Sequence, residues 1–252
     1  NSDNITLKGL VVHSAGGALI AGRSADVHHT AIQGSYINVD PTGMTQKTST
    51  NETITFGGGA HDNLIGGTNA ADRNIIIGSP AQNAISISDF VTSGPVAPAV
   101  NTTIQGNYIG LFKTGLTAAT STSTPLIIQG ATGTVVGGTV AGARNVIAGN
   151  VDAAGLVTIY PGTTGVSSPT NTRIQGNYIG TDYLGASNTS LSSAVTQINA
   201  VFLGTTPILV GGDTAAAGNL IAGGGQGSGI NHLLLSLASP VSSGLAILGN
   251  SF

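Results

Sequence analysis

One phrase occurs twice almost unchanged, as NTTIQGNYIG at 101–110 and NTRIQGNYIG at 171–180. Looser copies begin at His29 (HTAIQGSYIN) and Leu245 (LAILGNSF), so that Ile32, Ile104, Ile174 and Ile247 follow one another at intervals of 72, 70 and 73 residues. A second phrase keeps step with the first: LIGGTNAADRNIIIG from Leu64, VVGGTVAGARNVIAG from Val135 and LVGGDTAAAGNLIAG from Leu209. Two phrases locked to one long period imply stacked units, none of which can bury its apolar face alone. The 252 residues are therefore expected to form one elongated domain, 1–252.

Within each repeat the apolar clusters are short, rich in Ile and Val, and closed by Gly, Gly-Gly or Gly-Asn, which are strand signals with turn punctuation. Closing positions at Ser35, Gly59, Asn83, Asn107, Ala131, Asn150, Asn177, Asn199, Gly224 and Asn250 divide 215 residues into nine steps of about 24. That count predicts an all-β, right-handed parallel β-helix of about ten coils of about 24 residues, each strand pairing with its equivalents above and below. Ile32, Ile104, Ile109, Ile174, Ile179 and Ile247 are expected to line the interior. Strict alternation would put Ile104 and Ile109 on opposite faces, so a bend must reset the parity. Gly106 and Asn107, like Gly176 and Asn177, are placed at that bend, because Gly and Asn enter the left-handed region at least cost. Segments 40–51, 89–100, 111–125, 160–171 and 181–196, rich in Ser, Thr, Gly and Pro, read as loops leaving the wall.

The composition excludes several classes. With 39 Gly, 7% charged residues and one Met, packed helices are not expected. A net charge of −3 offers no footprint for nucleic acid, and no apolar run is long enough to span a bilayer. There are no cysteines, hence no disulfides or thiolate sites. Neither end of the chain shows a cap, and both read as internal coils.

These phrases resemble those of secreted bacterial right-handed parallel β-helix repeat proteins of the pectate-lyase-like superfamily, whose chains alternate phrases like IQGNYIGTD and IGGTTAGARNVIAGN. The resemblance covers nearly the whole chain and implies the fold and an extracellular or cell-surface setting. It does not imply one activity, because this scaffold carries lyases, hydrolases, tailspikes, adhesins and spacers. Asp182 matches the Asp of the family's GTD phrase, with Asp40 as its counterpart in the first copy; Leu111 and Phe112 stand there in the second.

Chemistry is thinly supported. Glycoside cleavage needs two carboxylates held a few ångströms apart, and ten acids spread over the chain could pair only across coils. The nearest approach to a lyase site is His61-Asp62 with Asp72-Arg73, which also reads as a turn. Arg73 and Arg144 are equivalent, and a catalytic Arg needs no twin, so both are expected to bind carbonyls at a coil corner. His13, His28, His29, His61 and His232 show no metal spacing, and neighbours such as His28 and His29 should face opposite sides of a strand, so neither metal nor cofactor is expected. The stretch from Gly223 resembles a calcium-binding nonapeptide but lacks its Asp. Tyr36, Tyr108, Tyr178 and Phe252 recur at the long period, either as wall packing or as a line facing a glycan.

The expected function is therefore a non-enzymatic, extracellular structural or adhesive β-solenoid, self-associating end to end or forming a segment of a longer surface protein. The alternative is a carbohydrate-active enzyme or a tailspike-like module that binds polysaccharide, with a groove flanked by the loops at 89–100 and 111–125. Neither reading involves nucleic acid or membrane insertion.

Overall fold

Short β-branched strands closed by glycine can pair in only one way when they recur along the chain: each lies parallel on its equivalent one coil away. The computed structural model describes residues 2–13, 18–50, 52–80, 82–90, 96–120, 123–149, 155–163, 167–186, 191, 196–202, 207–222, 231–237 and 245–252. It is a right-handed parallel β-helix with three long sheets. Sheet 1 stacks eight strands, Thr6–Lys8, Ala31–Gln33, Leu64–Gly66, Thr103–Gln105, Val135–Gly137, Thr172–Gln175, Ile208–Gly211 and Leu245–Leu248. Sheet 2 stacks seven two-residue strands from Val11–Val12 to Leu220–Ile221, and sheet 3 seven from Ile20–Gly22 to Asn231–Leu237. Among the described residues there is no α-helix, only two 3-10 turns at Ala70–Asp72 and Ala141–Ala143.

The coil count differs from the expectation. The stack holds seven full coils and the first strand of an eighth, so the 72-residue repeat is two coils and not three. The two phrases occupy the same place. Thr103–Gln105 pairs with Val135–Gly137, and Tyr108–Ile109 with Val146–Ile147, so IQGNYIG and VVGGTVAGARNVI are two ways of turning the corner between sheets 1 and 2. In one coil Gly106 and Asn107 make the corner, whereas in the next residues 138–145 make it with a 3-10 turn. Asn83 and Asn199 close no equivalent position, and Asn150 and Gly224 lie outside the described residues.

Interior columns run through all three sheets. In sheet 1, Ile32, Ile65, Ile104, Val136, Ile174 and Val210 are at most 1% exposed. Sheet 2 contributes Ile37, Ile76, Ile109, Ile147, Ile179 and Ile221, and Ile54, Phe56, Ile85, Ile87, Leu126, Ile128, Val157 and Ile159 come from sheet 3. Each buried Ile is worth about 1.5–3 kcal/mol of transfer free energy. Ile247 continues the first column opposite Val210 but is 36% exposed, because no further coil lies over it here.

A second core lies outside sheet 2. The side chains opposite the interior column alternate between Tyr and aliphatic: Tyr36, Ile75, Tyr108, Val146, Tyr178 and Leu220. Every second coil sends out an arm over them: 38–53, 110–125 and 180–195, of which parts are described. Val39, Leu111, Ala119 and Leu191 of the arms pack on Ile75, Tyr108 and Val146. The arms also touch each other across two coils, Lys113 N–H donating to the Gly43 carbonyl (3.0 Å) and Tyr183 N–H to that of Gly115 (3.0 Å).

Candidate functional site

The corner between sheets 1 and 2 accounts for the repeated phrase residue by residue. The Gln side chain reaches the next coil, Gln33, Gln105 and Gln175 Nε2 donating to the carbonyls of Gly66, Gly137 and Gly211. Gly106 has φ +71°, and a Cβ there would lie 2.2 Å from the Gly67 carbonyl oxygen and 2.9 Å from that of Gly142. Gly176 is squeezed in the same way. The bend thus belongs to glycine alone, a correction to the expectation for Asn107 and Asn177, which keep ordinary negative φ and point inward, fully buried.

These asparagines form a ladder. Asn74, Asn107, Asn145, Asn177 and Asn219 each donate through Nδ2 to the Oδ1 of the next, ending on Asn250, and Ser35 N–H opens the series by donating to Asn74 Oδ1. Each Nδ2 also donates to a carbonyl one coil back, as Asn107 does to Ile65 (2.9 Å) and Asn145 to Ile104 (2.8 Å). From Ser35 to Asn250 the ladder takes six steps over 215 residues, about 36 per coil.

Outside the ladder, Arg73 Nε donates to the Gly106 carbonyl (3.0 Å) with its guanidinium 4.4 Å above the Tyr108 ring. Arg144 repeats this on Gly176 (3.2 Å) and Tyr178 (4.1 Å). Tyr108 is 6% exposed, held between Arg73 and its own arm at Gly115, so it is not free to face a glycan; Tyr36 and Tyr178 are half-buried. Phe252 falls outside the tyrosine series, because Ser251 pairs with Leu220 in the tyrosine column. Asp62 and Asp72 share a coil but sit at different corners: Asp72 accepts from Lys8 (2.7 Å) and Asn69 (3.0 Å), and Asp62 from His61 (2.8 Å) and Asn101 (3.0 Å). Lys8 first, then Asn69, hold the Asp72 carboxyl below its ordinary value; His61 first, then Asn101, do the same for Asp62. No lyase-like cluster forms there.

Concave surface is found beside Arg144 and Tyr178 at the corner between sheets 1 and 2, and also on the outer face of sheet 3. Its outward columns are mostly polar, with Thr55, Ser86, Ile127, Thr158 and Asn199 in one and Ser88, Gln129 and Tyr160 in the next. The arm segment 38–53 borders this face through Glu52, and the loops following Ser88 and Tyr160 border it through Phe90 and Thr163; among the described residues, no lining residue comes from 111–125. Between them lies a groove of about 360 Å³ lined by Arg23, Glu52, Ser88, Phe90, Gln129 and Thr163, among others. Arg23 approaches Glu52 (3.7 Å) and lies 5.3 Å over the Phe90 ring, which is 43% exposed. Glu52 accepts the Thr55 hydroxyl (2.7 Å). Asp89, fully buried, accepts the Thr163 N–H and hydroxyl and the Ser167 hydroxyl, and so anchors the loop two coils away. Burial, then the charges of Glu52 and Asp89, push the Tyr160 phenol up. The carboxyl in the groove's lining, that of Glu52, is thus occupied by Arg23, and the buried Asp89 is locked beneath a loop, while amide, hydroxyl and aromatic groups line the groove.

Another correction concerns the histidines. His28 and His29 do not face opposite sides, because His29 takes φ +51° and turns its ring back, bringing the two Nδ1 atoms within 3.0 Å. The stretch 223–230 lies outside the described residues, as does the His232 side chain.

No protein-family model, curated protein or solved structure matches the chain. No helix among the described residues is long and apolar enough to cross a membrane.

Proposed function

We propose that the chain is a structural or adhesive β-solenoid of an extracellular or cell-surface protein, related to the pectate-lyase-like β-helix proteins that its phrases resemble. The observation that carries this reading is the asparagine ladder, unbroken from Asn74 to Asn250. It runs beside continuous isoleucine columns and a second core sealed by interlocked arms. A wall tied at every coil resists bending and suits a spacer or a presenting surface. Seven coils at about 4.8 Å each give a rod about 34 Å long. Leu10 and Val11 in the first coil and Ile247, Leu248 and Phe252 in the last are exposed, and a second copy stacked end to end would cover them. Electron microscopy of the native protein tests this: straight rods or filaments built from such segments support it, and turnover in a polysaccharide-cleavage screen refutes it.

The groove on sheet 3 favours a second reading, glycan binding without cleavage. Phe90 offers a partly exposed ring for a sugar face, and Arg23, Gln129 and Thr163 offer polar groups around it. A glycan-array signal lost in Phe90→Ala and Arg23→Ala supports this reading; a signal unchanged in both removes it.

A further inference from the structure

The corner between sheets 3 and 1 repeats a left-handed residue once per coil. Asn4, His29, Asp62, Asn101, Gly133 and Asn171 stand in one column there, all with φ between 51° and 69°. Asn, Asp and Gly are the residues that tolerate this conformation best, and a ring-bearing side chain at one such position calls for a reason. The neighbouring column stacks Asp3, His28 and His61, one per coil. His29 therefore stands beside His28 with its ring turned toward Asp3 by the positive φ.

The result is a triangle of ligand atoms. His28 Nδ1 lies 2.9 Å and His29 Nδ1 3.1 Å from Asp3 Oδ1, and the two nitrogens are 3.0 Å apart. Hydrogen bonding cannot satisfy all three contacts. If both rings donate to Asp3, their two N–H groups confront each other across the third side. If one ring donates to the other, a nitrogen lone pair is left against the carboxylate. A cation over the triangle resolves the conflict by drawing three lone pairs to one charge. A point about 1.1 Å above the plane lies about 2.05 Å from all three atoms, within the usual range for zinc with imidazole and carboxylate ligands. The surroundings hold the rings in place: His61 stacks on His28 at 4.8 Å with planes 4° apart, and Asp62 fixes His61 Nδ1 at 2.8 Å.

We propose that Asp3, His28 and His29 form a binding site for a divalent transition ion of borderline softness, with zinc as the biological ligand. The site is on the surface, the side chains of Asp3, His28 and His29 being 41%, 20% and 53% exposed. The coordination positions opposite the triangle therefore face solvent and take water or a donor from a bound partner. Within the chain the ion ties the strand Ser2–Asp3 to the corner at Val27–His28. Two imidazoles and a carboxylate also place Cu²⁺ above Zn²⁺ in intrinsic affinity.

The test uses the untagged full chain after chelator treatment. Calorimetry with ZnCl₂ should give one equivalent bound in the micromolar range, and CoCl₂ should give a visible band shifted from that of the aqua ion by two imidazole ligands. His29→Asn is the decisive variant, because Asn already serves the same corner at positions 101 and 171 and keeps the backbone while removing a ligand. It should weaken zinc at least tenfold, as should His28→Ala, whereas His13→Ala, outside the cluster, should not. Zinc should raise the thermal midpoint of the parent and not that of His29→Asn. Binding only at millimolar zinc, or binding unchanged in the His28→Ala/His29→Asn double variant, overturns the proposal.

Discussion

Replacing Asn107 with Ala removes one rung from the middle of the ladder. The side chain is fully buried; its Oδ1 accepts the Asn74 N–H (3.3 Å) and Nδ2 (2.9 Å). Its Nδ2 donates to the carbonyls of Ile65 and Gln105 (both 2.9 Å) and to Asn145 Oδ1 (3.1 Å). Some partners keep other bonds: Asn74 Nδ2 still reaches the Ile32 carbonyl, and Asn145 Oδ1 still accepts the Asn107 N–H. The Asn74 N–H is left facing a void, at about 1–3 kcal/mol for a buried orphan, and the other lost bonds add about 1 kcal/mol each at most, so the total is about 3–5 kcal/mol. At roughly 2–4 °C per kcal/mol for a chain of this size, the thermal midpoint should fall by about 6–20 °C. Asn250→Ala, at the half-exposed end of the same ladder, lets water replace what is lost and should cost about 1 kcal/mol. Urea and thermal unfolding followed by circular dichroism compare the two, and hydrogen exchange should show protection lost around coils three to five in Asn107→Ala. Equal shifts for both variants, or a loss below about 1 kcal/mol for Asn107→Ala, would refute the claim that the ladder stabilises the wall.

Gly106→Ala and Gly9→Ala share a left-handed φ, +71° and +68°, but only the first would drive a Cβ into backbone carbonyls, since nothing lies within 4 Å at Gly9. Gly9→Ala should cost about 1–2 kcal/mol from the backbone alone, and Gly106→Ala clearly more, as read by urea midpoints. Arg144→Ala should lose about 1–2 kcal/mol through its carbonyl bond and its contact with the Tyr178 ring, and Arg144→Lys should restore little, because a lysine cannot lie flat on the ring. In acid, the depressed carboxyls set the sign. Desolvation pushes Asp40 up, but the Thr42 hydroxyl and the Thr45 and Met44 amides outweigh it and pull it to about 2. Lys8 pulls Asp72 down as well. Carboxyls lower in the folded than the unfolded chain contribute stability above their unfolded value near 3.8 and lose it as pH falls through the folded one, so stability should drop between about pH 4 and 2. Asp72→Asn should flatten that drop in an acid-titration series.

The fold was legible because its signal is redundant: every Ile column repeats a choice already made one coil away. The coil length was not, because two unlike phrases fill one structural slot. GNYIG and ARNVIAG look unrelated until the asparagine is aligned, yet Asn74-Ile-Ile, Asn107-Tyr-Ile, Asn145-Val-Ile, Asn177-Tyr-Ile and Asn219-Leu-Ile share an Asn, an outward apolar residue and an inward Ile. Searching for that triplet gives the 36-residue coil directly. Arg73 and Arg144 were readable as corner residues from their equivalence alone. The groove was not, since its lining comes from coils one to five, and which loops share an edge depends on the coil length. His28 and His29 were misjudged for a local reason: alternation along a strand fails once one residue turns left-handed, and only the column of Asn, Asp and Gly at the same corner hints that it does.

The arms impose a rule on how such a rod can lengthen or shorten. They hydrogen-bond to each other although the coils bearing them are two apart, so each arm fills the height of about two strand spacings, near 9.6 Å. Excising one coil would leave the asparagine register intact and yet crowd two arms into the space of one. Gains and losses that preserve the packing must therefore come in pairs of coils, about 72 residues at a time. The growth quantum of this architecture is set by what hangs on its wall and not by the wall itself.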